Sequence, residues 1–311
     1  MKNKINYSEF YENGGAVDTS IPKQVRDKIY DKNGERRIDD EAIKALTDYA
    51  ENLPQTKSKY FNESTGEYTP ERAKFHQKII DGFKKDLICV ENDKPIAILM
   101  GGSPASGKST FLKKYAPYLL EEEILRVDAD EIRAKLPEYK GWNATSTHLE
   151  TKDIVNTLLS DRVIGIPCKY DIIYDGTMNS VKSYEPLVKL LKELGYKIFI
   201  VYMDKVPEAT IKQRALERYK KSGRFVPMAV IDDFFAKGKT AFNKLKEEID
   251  GYMVIDGSND KYEIIERGGM KLPKNRNYSK LGVPINQLKL MESGGDVTPC
   301  CPDYVRLLFK W

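Results

Sequence analysis

The octapeptide Gly102-Ser103-Pro104-Ala105-Ser106-Gly107-Lys108-Ser109 limits what this chain can fold into more than any other feature, because it satisfies the pattern GxxxxGK(S/T). With Gly at about 7% of residues in average proteins, and Lys, Ser and Thr at ordinary frequencies, the four fixed positions match by chance in roughly one chain of this length in a hundred. Its context narrows the reading further. Residues 96–100 read as a short buried strand, and Lys108 onward, with Phe111, Leu112 and Tyr115, as a helix. A Gly-rich turn from strand to helix brings backbone N–H groups to a helix N-terminus, where they can wrap a phosphate. In that arrangement Gly102 through Thr110 cradle a nucleotide, ATP or GTP. Lys108 bridges its β and γ phosphates and Ser109 ligates Mg²⁺.

The rest of the chain predicts where this loop sits. From Lys94 to Asp256 short apolar runs alternate with helical patterns, and the strands expected are residues 96–100, 124–127, 171–174, 198–203 and 252–255. That alternation predicts an α/β fold, a P-loop kinase-like doubly wound parallel sheet of about five strands. Residues 1–87 read as a helical N-terminal extension with amphipathic helices over 40–53 and 70–87, the second capped by Thr69 with Pro70 at its first position. Residues 88–257 form the kinase-like domain, and 258–311, rich in Pro, Asn, Gly and Lys, an irregular C-terminal tail. A content of 41% hydrophobic and 32% charged residues excludes both global disorder and a membrane protein. The net charge of +4 is too mild for a dedicated nucleic-acid binder. The longest apolar stretch, 198–203, falls far short of a membrane span. Cysteines at 89, 168, 300 and 301 lack CxxC spacing and the chain has 2 His, so neither a disulfide framework nor a zinc site is expected. A soluble, cytoplasmic protein fits that pattern.

Three further groups of residues suit phosphoryl chemistry. The second expected strand runs into Asp128-Ala129-Asp130-Glu131, at the sheet edge where doubly wound domains bind ligands. Asp128 reads as a helix N-cap with Glu131 as its capping-box partner. Asp130, in the first helical turn, suits the acceptor of a substrate hydroxyl proton, its plainer alternative being a carboxylate favoured by the helix dipole. Asp175, closing the third expected strand, holds the position of a Mg²⁺-side acid, or else an ordinary Asp-Gly turn with Gly176. Arg214, Arg218 and Arg224 come from a helix and following loop able to act as a lid on a transferring phosphoryl group, or else form part of a solvated helix. His76 and His148 are solitary, Trp142 reads as packing, and Glu150 reads as a solvated helical face, with the acceptor site as its functional alternative.

Together TPERAKFH, GGSPASGKST, VDADEIRAKLPEY, the strand ending YDGT and the lid segment ERYKKSGRFVP resemble the zeta toxin family of P-loop kinases, over roughly residues 68–256. The resemblance implies Lys108 and Ser109 as nucleotide and Mg²⁺ residues, Asp130 as general base, and Arg218 and Arg224 as phosphate contacts. The family's best-described members phosphorylate UDP-N-acetylglucosamine, which implies that sugar nucleotide or a related hydroxyl-bearing metabolite as acceptor. The chain departs from the family pattern at Asp175, where Glu is frequent, and around Met178 and Asn179, where a basic residue is frequent. A polynucleotide 5′-hydroxyl kinase shares the same parts, and a non-catalytic nucleotide-binding module in an assembly is the reading from another class. The chain carries no antitoxin sequence of its own and leaves an antitoxin or other protein partner open.

Overall fold

The apolar run before the phosphate loop becomes the strand Ile96–Gly101 (β1), buried at all six residues. A strand buried on both faces belongs inside a parallel sheet covered by helices. That is its position in this computed structural model, which describes residues 17–89, 92, 94–117, 124–165, 167–259 and 261–269. The other strands of the sheet are Leu125–Asp128 (β2), Ile172–Asp175 (β3), Lys197–Asp204 (β4), Gly251–Asp256 (β5) and Glu263–Gly268 (β6). The main helices are Lys23–Ile29 (α1), Asp40–Glu51 (α2), Pro70–Lys84 (α3), Lys108–Tyr115 (α4), Ala129–Ala134 (α5), His148–Leu158 (α6), Val181–Glu193 (α7), Glu208–Ser222 (α8) and Met228–Leu245 (α9).

The described chain divides into two compact bodies, neither of them continuous in sequence. One, the sheet body, comprises Asp86–Arg126, Ser160–Val206 and the described residues from Ala236 on. The other, the helical body, comprises the described residues up to Lys85, Val127–Leu159 and Pro207–Phe235.

The strands run in the order β2-β3-β1-β4-β5-β6. β1 pairs in parallel with β3, from Ala97 opposite Ile172 to Met100 opposite Asp175, and with β4, from Ile96 opposite Lys197 to Gly101 opposite Tyr202. β5 continues the parallel pairing on β4, and β6 returns antiparallel along β5. The expected parallel sheet is present, with a sixth strand where the sequence reading places irregular tail. Ile98, Met100, Ile173, Phe199, Val201, Met253 and Ile255 form a core with Phe111 and Leu112 of α4. Burying a side chain of this kind contributes about 1.5–3 kcal/mol, so the first turns of α4 are fixed against the sheet. Residues 270–311 of the expected tail, with Cys300 and Cys301, lie outside the described residues.

In the helical body, Asp39 caps α2, its side chain accepting from the Ala42 N–H at 3.2 Å, and α2 buries Ala42, Leu46 and Ala50. Thr69 caps α3 as expected, accepting from the Arg72 N–H at 3.4 Å, with Pro70 at the first position. α1 and α2 pack Ile29 and Leu46 into a cluster with Ile21, Tyr30, Trp142, Tyr219 and Phe225. The N-terminal segment thus shares a core with residues far along the chain.

The expectation for the cysteines fails. Cys89 and Cys168, both of the sheet body, are joined as a disulfide across a sequence separation of 79. Folding brings their Cα atoms to 4.8 Å, a proximity no local spacing announces. No described helix is long and apolar enough to cross a membrane.

Candidate active site

The phosphate loop lies wholly in the sheet body, between β1 and α4. Gly107 takes φ +97°, and a Cβ there would stand 2.7 Å from the Tyr262 hydroxyl oxygen, so only glycine fits. Gly107 is also the N-cap of α4. It offers no capping side chain, and the first turn of α4 holds no acidic residue, which leaves the N–H groups of this positive helix end suited to an anion. Ala105 is held at φ 62°, a left-handed conformation that costs a non-glycine residue free energy and clusters at ligand sites.

Two hydroxyls make the loop's chemistry specific. Ser103 and Ser106 are each 1% exposed, and neither side-chain oxygen has a hydrogen-bond partner. Buried polar groups are nearly always satisfied, so this pair fits a ligand that brings hydrogen-bonding oxygens into the loop. Lys108 Nζ donates to the Gly102 and Ser103 carbonyls at 2.8 and 3.0 Å, bracing the loop from inside. Ser109 Oγ donates to Asp175 Oδ2 at 3.4 Å. That pairing unites the two residues expected on Mg²⁺, and two oxygen donors suit a hard cation. Among the described residues no group of three or more His, Cys, Asp or Glu could hold a metal by itself.

Past Asp175 the chain folds back onto the loop, the Gly102 N–H donating to the Thr177 carbonyl at 3.1 Å. Met178 is fully buried with φ 55°, its N–H donating to the Tyr184 hydroxyl at 3.2 Å. The polar group left in this segment is Asn179, whose Oδ1 accepts from the Thr177 hydroxyl at 3.3 Å.

The other expected residues belong to the helical body. Asp128 is the N-cap of α5, its Oδ1 accepting from the N–H groups of Asp130 and Glu131 at 2.9 and 3.4 Å. The capping reading of Asp128 holds, and Asp130 keeps its own side chain for other partners. Its Oδ1 accepts from Arg133 at 2.6 Å, and its Oδ2 forms an ion pair with Arg224. Two expected residues, Asp130 and Arg224, therefore meet. Arg218, one turn before the end of α8, is half-buried with its Nε and Nη2 below the surface. Arg133 escaped the sequence reading, although its i,i+3 spacing from Asp130 is a legible signal.

Glu150 departs from both of its readings. It is fully buried, held by Arg72 at 2.5 and 3.1 Å and by His76 at 2.6 Å. Arg72 also spans to Glu138 at 3.1 and 2.7 Å, and the Tyr60 hydroxyl donates to Glu138 at 2.7 Å. Burial pushes the Glu150 carboxyl up, but hydrogen bonds from His76 and Arg72 and the Arg72 charge outweigh it and hold it at about 2. Glu150 is thus an interior carboxylate that ties α3 to α6.

Comparison with known proteins bears on the family and the fold. A family model described as Zeta toxin matches residues 80–270. Toxin PezT of Streptococcus pneumoniae serotype 4 is 27% identical over 120 residues, 37% of this chain and 47% of PezT. An adenylate kinase of Caldicellulosiruptor bescii is 30% identical over 125 residues, 38% of this chain and 56% of the enzyme. An L-seryl-tRNA(Sec) kinase of Methanococcus maripaludis is 25% identical over 182 residues, 58% of this chain and 67% of that protein. The chain spans about half the length of PezT and of the Caldicellulosiruptor enzyme. Among solved structures, the PezAT toxin-antitoxin system of Streptococcus pneumoniae gives a TM-score of 0.51 at 20% identity, covering 65% of this chain and 82% of that one. AvrRxo1-ORF1:-ORF2 with ATP gives 0.53 at 16% identity, covering 69% and 76%. These likenesses establish the fold. Because the family match takes in more than half of the sequence, and the loop, Asp130 and Arg224 all lie within it, the chain belongs to the zeta toxin family.

Proposed function

We propose that this protein is a kinase that moves the γ-phosphoryl group of ATP to a hydroxyl of a small acceptor. The observation that carries the reading is the phosphate loop, with its uncapped α4 N-terminus, its two buried hydroxyls without partners and the Ser109–Asp175 pair at its exit. In this reading the loop's N–H groups and Lys108 hold the phosphates. Ser109 and Asp175 would hold Mg²⁺, which would supply charge neutralisation to the phosphates. Asp130 takes the proton from the acceptor hydroxyl, a role usually worth two to four decades in rate. Arg218 and Arg224 supply positive charge where it develops on the transferring group. A kinase of this kind works where ATP is kept, which argues for the cytoplasm.

Family membership supports UDP-N-acetylglucosamine or a related metabolite as acceptor. The likeness to an L-seryl-tRNA(Sec) kinase favours, as a second reading, a hydroxyl carried on a nucleic acid. Salt separates the two. An acceptor held by a chain of phosphates loses about 0.7 log units of affinity per log unit of salt for each phosphate neutralised, whereas a diphosphate responds weakly. In a paired assay with labelled ATP, UDP-N-acetylglucosamine is expected to be phosphorylated faster than a 5′-hydroxyl oligonucleotide, with shallow salt dependence. Faster, steeply salt-dependent labelling of the oligonucleotide would transfer the assignment to the second reading.

A further inference from the structure

The segment that carries Arg224 is fixed on both sides, and one of the fixings comes from the N-terminal segment, outside the family match. α8 ends at Ser222, and the last carbonyls of a helix have no partner within it. Here two of them are taken. The Tyr219 carbonyl accepts from the Gly223 N–H at 2.8 Å, and the Lys220 carbonyl from Arg36 Nη1 at 3.3 Å. Arg36 stands 184 residues away in sequence from the carbonyl it caps. Its guanidinium also lies over the Tyr219 ring, 6.0 Å from the centroid. A cation at the negative end of a helix is favoured by the dipole, so both contacts draw Arg36 to this point.

Gly223 follows, with φ +76°, and a Cβ there would stand 2.9 Å from Arg36 Nη2. Arg36 is therefore seated against the backbone of the residue just before Arg224. On the far side, Phe225 is 1% exposed, its N–H donates to the Gly141 carbonyl at 3.2 Å, and its ring packs edge-on against Tyr219. Arg224 is the residue between these two anchors, and its side chain reaches Asp130. Arg36 is itself set by a tight turn. Asp31 Oδ1 accepts from the N–H groups of Asn33 and Glu35 at 2.8 and 2.9 Å, and Tyr30 and Arg36 face each other across an antiparallel bridge.

We infer that Arg36 is a positioning residue for phosphoryl transfer: by capping α8 and backing Gly223, it fixes the position from which Arg224 acts. The inference rests on the catalytic reading of Arg224 given above and adds to it a role for the N-terminal segment. A small displacement of a charge-bearing group costs turnover steeply, up to about a hundredfold for 1 Å, so the effect belongs in kcat more than in nucleotide affinity.

A double-mutant cycle on the full chain tests it, following ADP formation from ATP and Mg²⁺ with and without UDP-N-acetylglucosamine. Arg36→Ala is expected to lower kcat by about tenfold or more while the KM for ATP changes by less than about threefold, and Arg36→Lys, which keeps a cation and a donor at the helix end, to recover part of the loss. In the Arg224→Ala background, Arg36→Ala should slow turnover no further. A purely structural role would instead produce the same fractional loss in both backgrounds, and that result would overturn the inference, as would an Arg36→Ala enzyme with wild-type kcat. Should the alanine variant fail to fold, Arg36→Lys carries the same comparison. An Arg224→Ala enzyme with full activity would sink the role given to Arg224, whereas a slow Arg224→Ala enzyme beside a normal Arg36→Ala enzyme would sink only the role given to Arg36.

Discussion

Replacing Lys108 with Ala removes the one side-chain cation of the phosphate loop, and the structure bounds what that should do. A charge-assisted contact to a phosphate contributes about 1.5–3 kcal/mol. Lys108 Nζ also donates to the Gly102 and Ser103 carbonyls, however, so a phosphate contact would be made in exchange for those bonds. Setting about 1 kcal/mol against the gain for the exchange leaves roughly 0.5–2 kcal/mol, or about a two- to thirtyfold loss of affinity. The fold should survive, because the α4 residues that enter the core are Phe111 and Leu112, with Lys108 only half-buried at the helix start. Calorimetric titration with ATP and Mg²⁺, beside thermal melts of both proteins, measures the two quantities. Unchanged ATP affinity in a variant that melts like wild type would refute the assignment of the loop to phosphate. A variant that no longer folds would show the carbonyl brace to be the larger duty of Lys108.

Two further outcomes follow from the carboxylates. Asp130→Asn should abolish transfer while leaving ATP binding intact, whereas Asp128→Asn should keep most activity, since Asn caps α5 about as well as Asp does; single-turnover assays of the pair separate them, and the reverse pattern would move the proton-accepting role to Asp128. Glu150 sits at about 2 when folded against an ordinary 4.5, so its ion pairs favour the folded state by about 3 kcal/mol above pH 4.5, a contribution lost as pH falls from 4.5 toward 2. Glu150→Gln should therefore lower the urea midpoint near neutral pH and flatten its fall below pH 4.5, and an acid limb as steep as that of wild type would place the acid sensitivity elsewhere.

What could be read from the sequence was local. The loop, its strand and its helix announce themselves because the chemistry needs consecutive residues, and the caps at Thr69 and Asp128 follow from the few positions after each. The parallel strands stand out as unbroken apolar runs because both their faces are buried. β6 does not, since EIIERG is a mostly exposed edge strand whose partner covers only one side. The ties between distant residues were illegible for another reason. Arg72 and His76 lie on a helix that otherwise reads as amphipathic, and their partner Glu150 is 78 and 74 residues away, so each looks like a solvated charge until folding brings them together. The same holds for Cys89 with Cys168 and for Arg36 with α8. A charge run that is buried reads in sequence the same as one that is exposed.

The central claim, transfer of a γ-phosphoryl group to a small hydroxyl-bearing acceptor, is tested most directly by incubating a metabolite extract with the protein and ATP carrying a heavy-isotope γ-phosphoryl group, then following the label by mass spectrometry. One new phosphorylated small molecule bearing the label is expected, formed by wild type and absent with Asp130→Asn. Label recovered only in inorganic phosphate, only in nucleic acid, or nowhere despite tight ATP binding would contradict it.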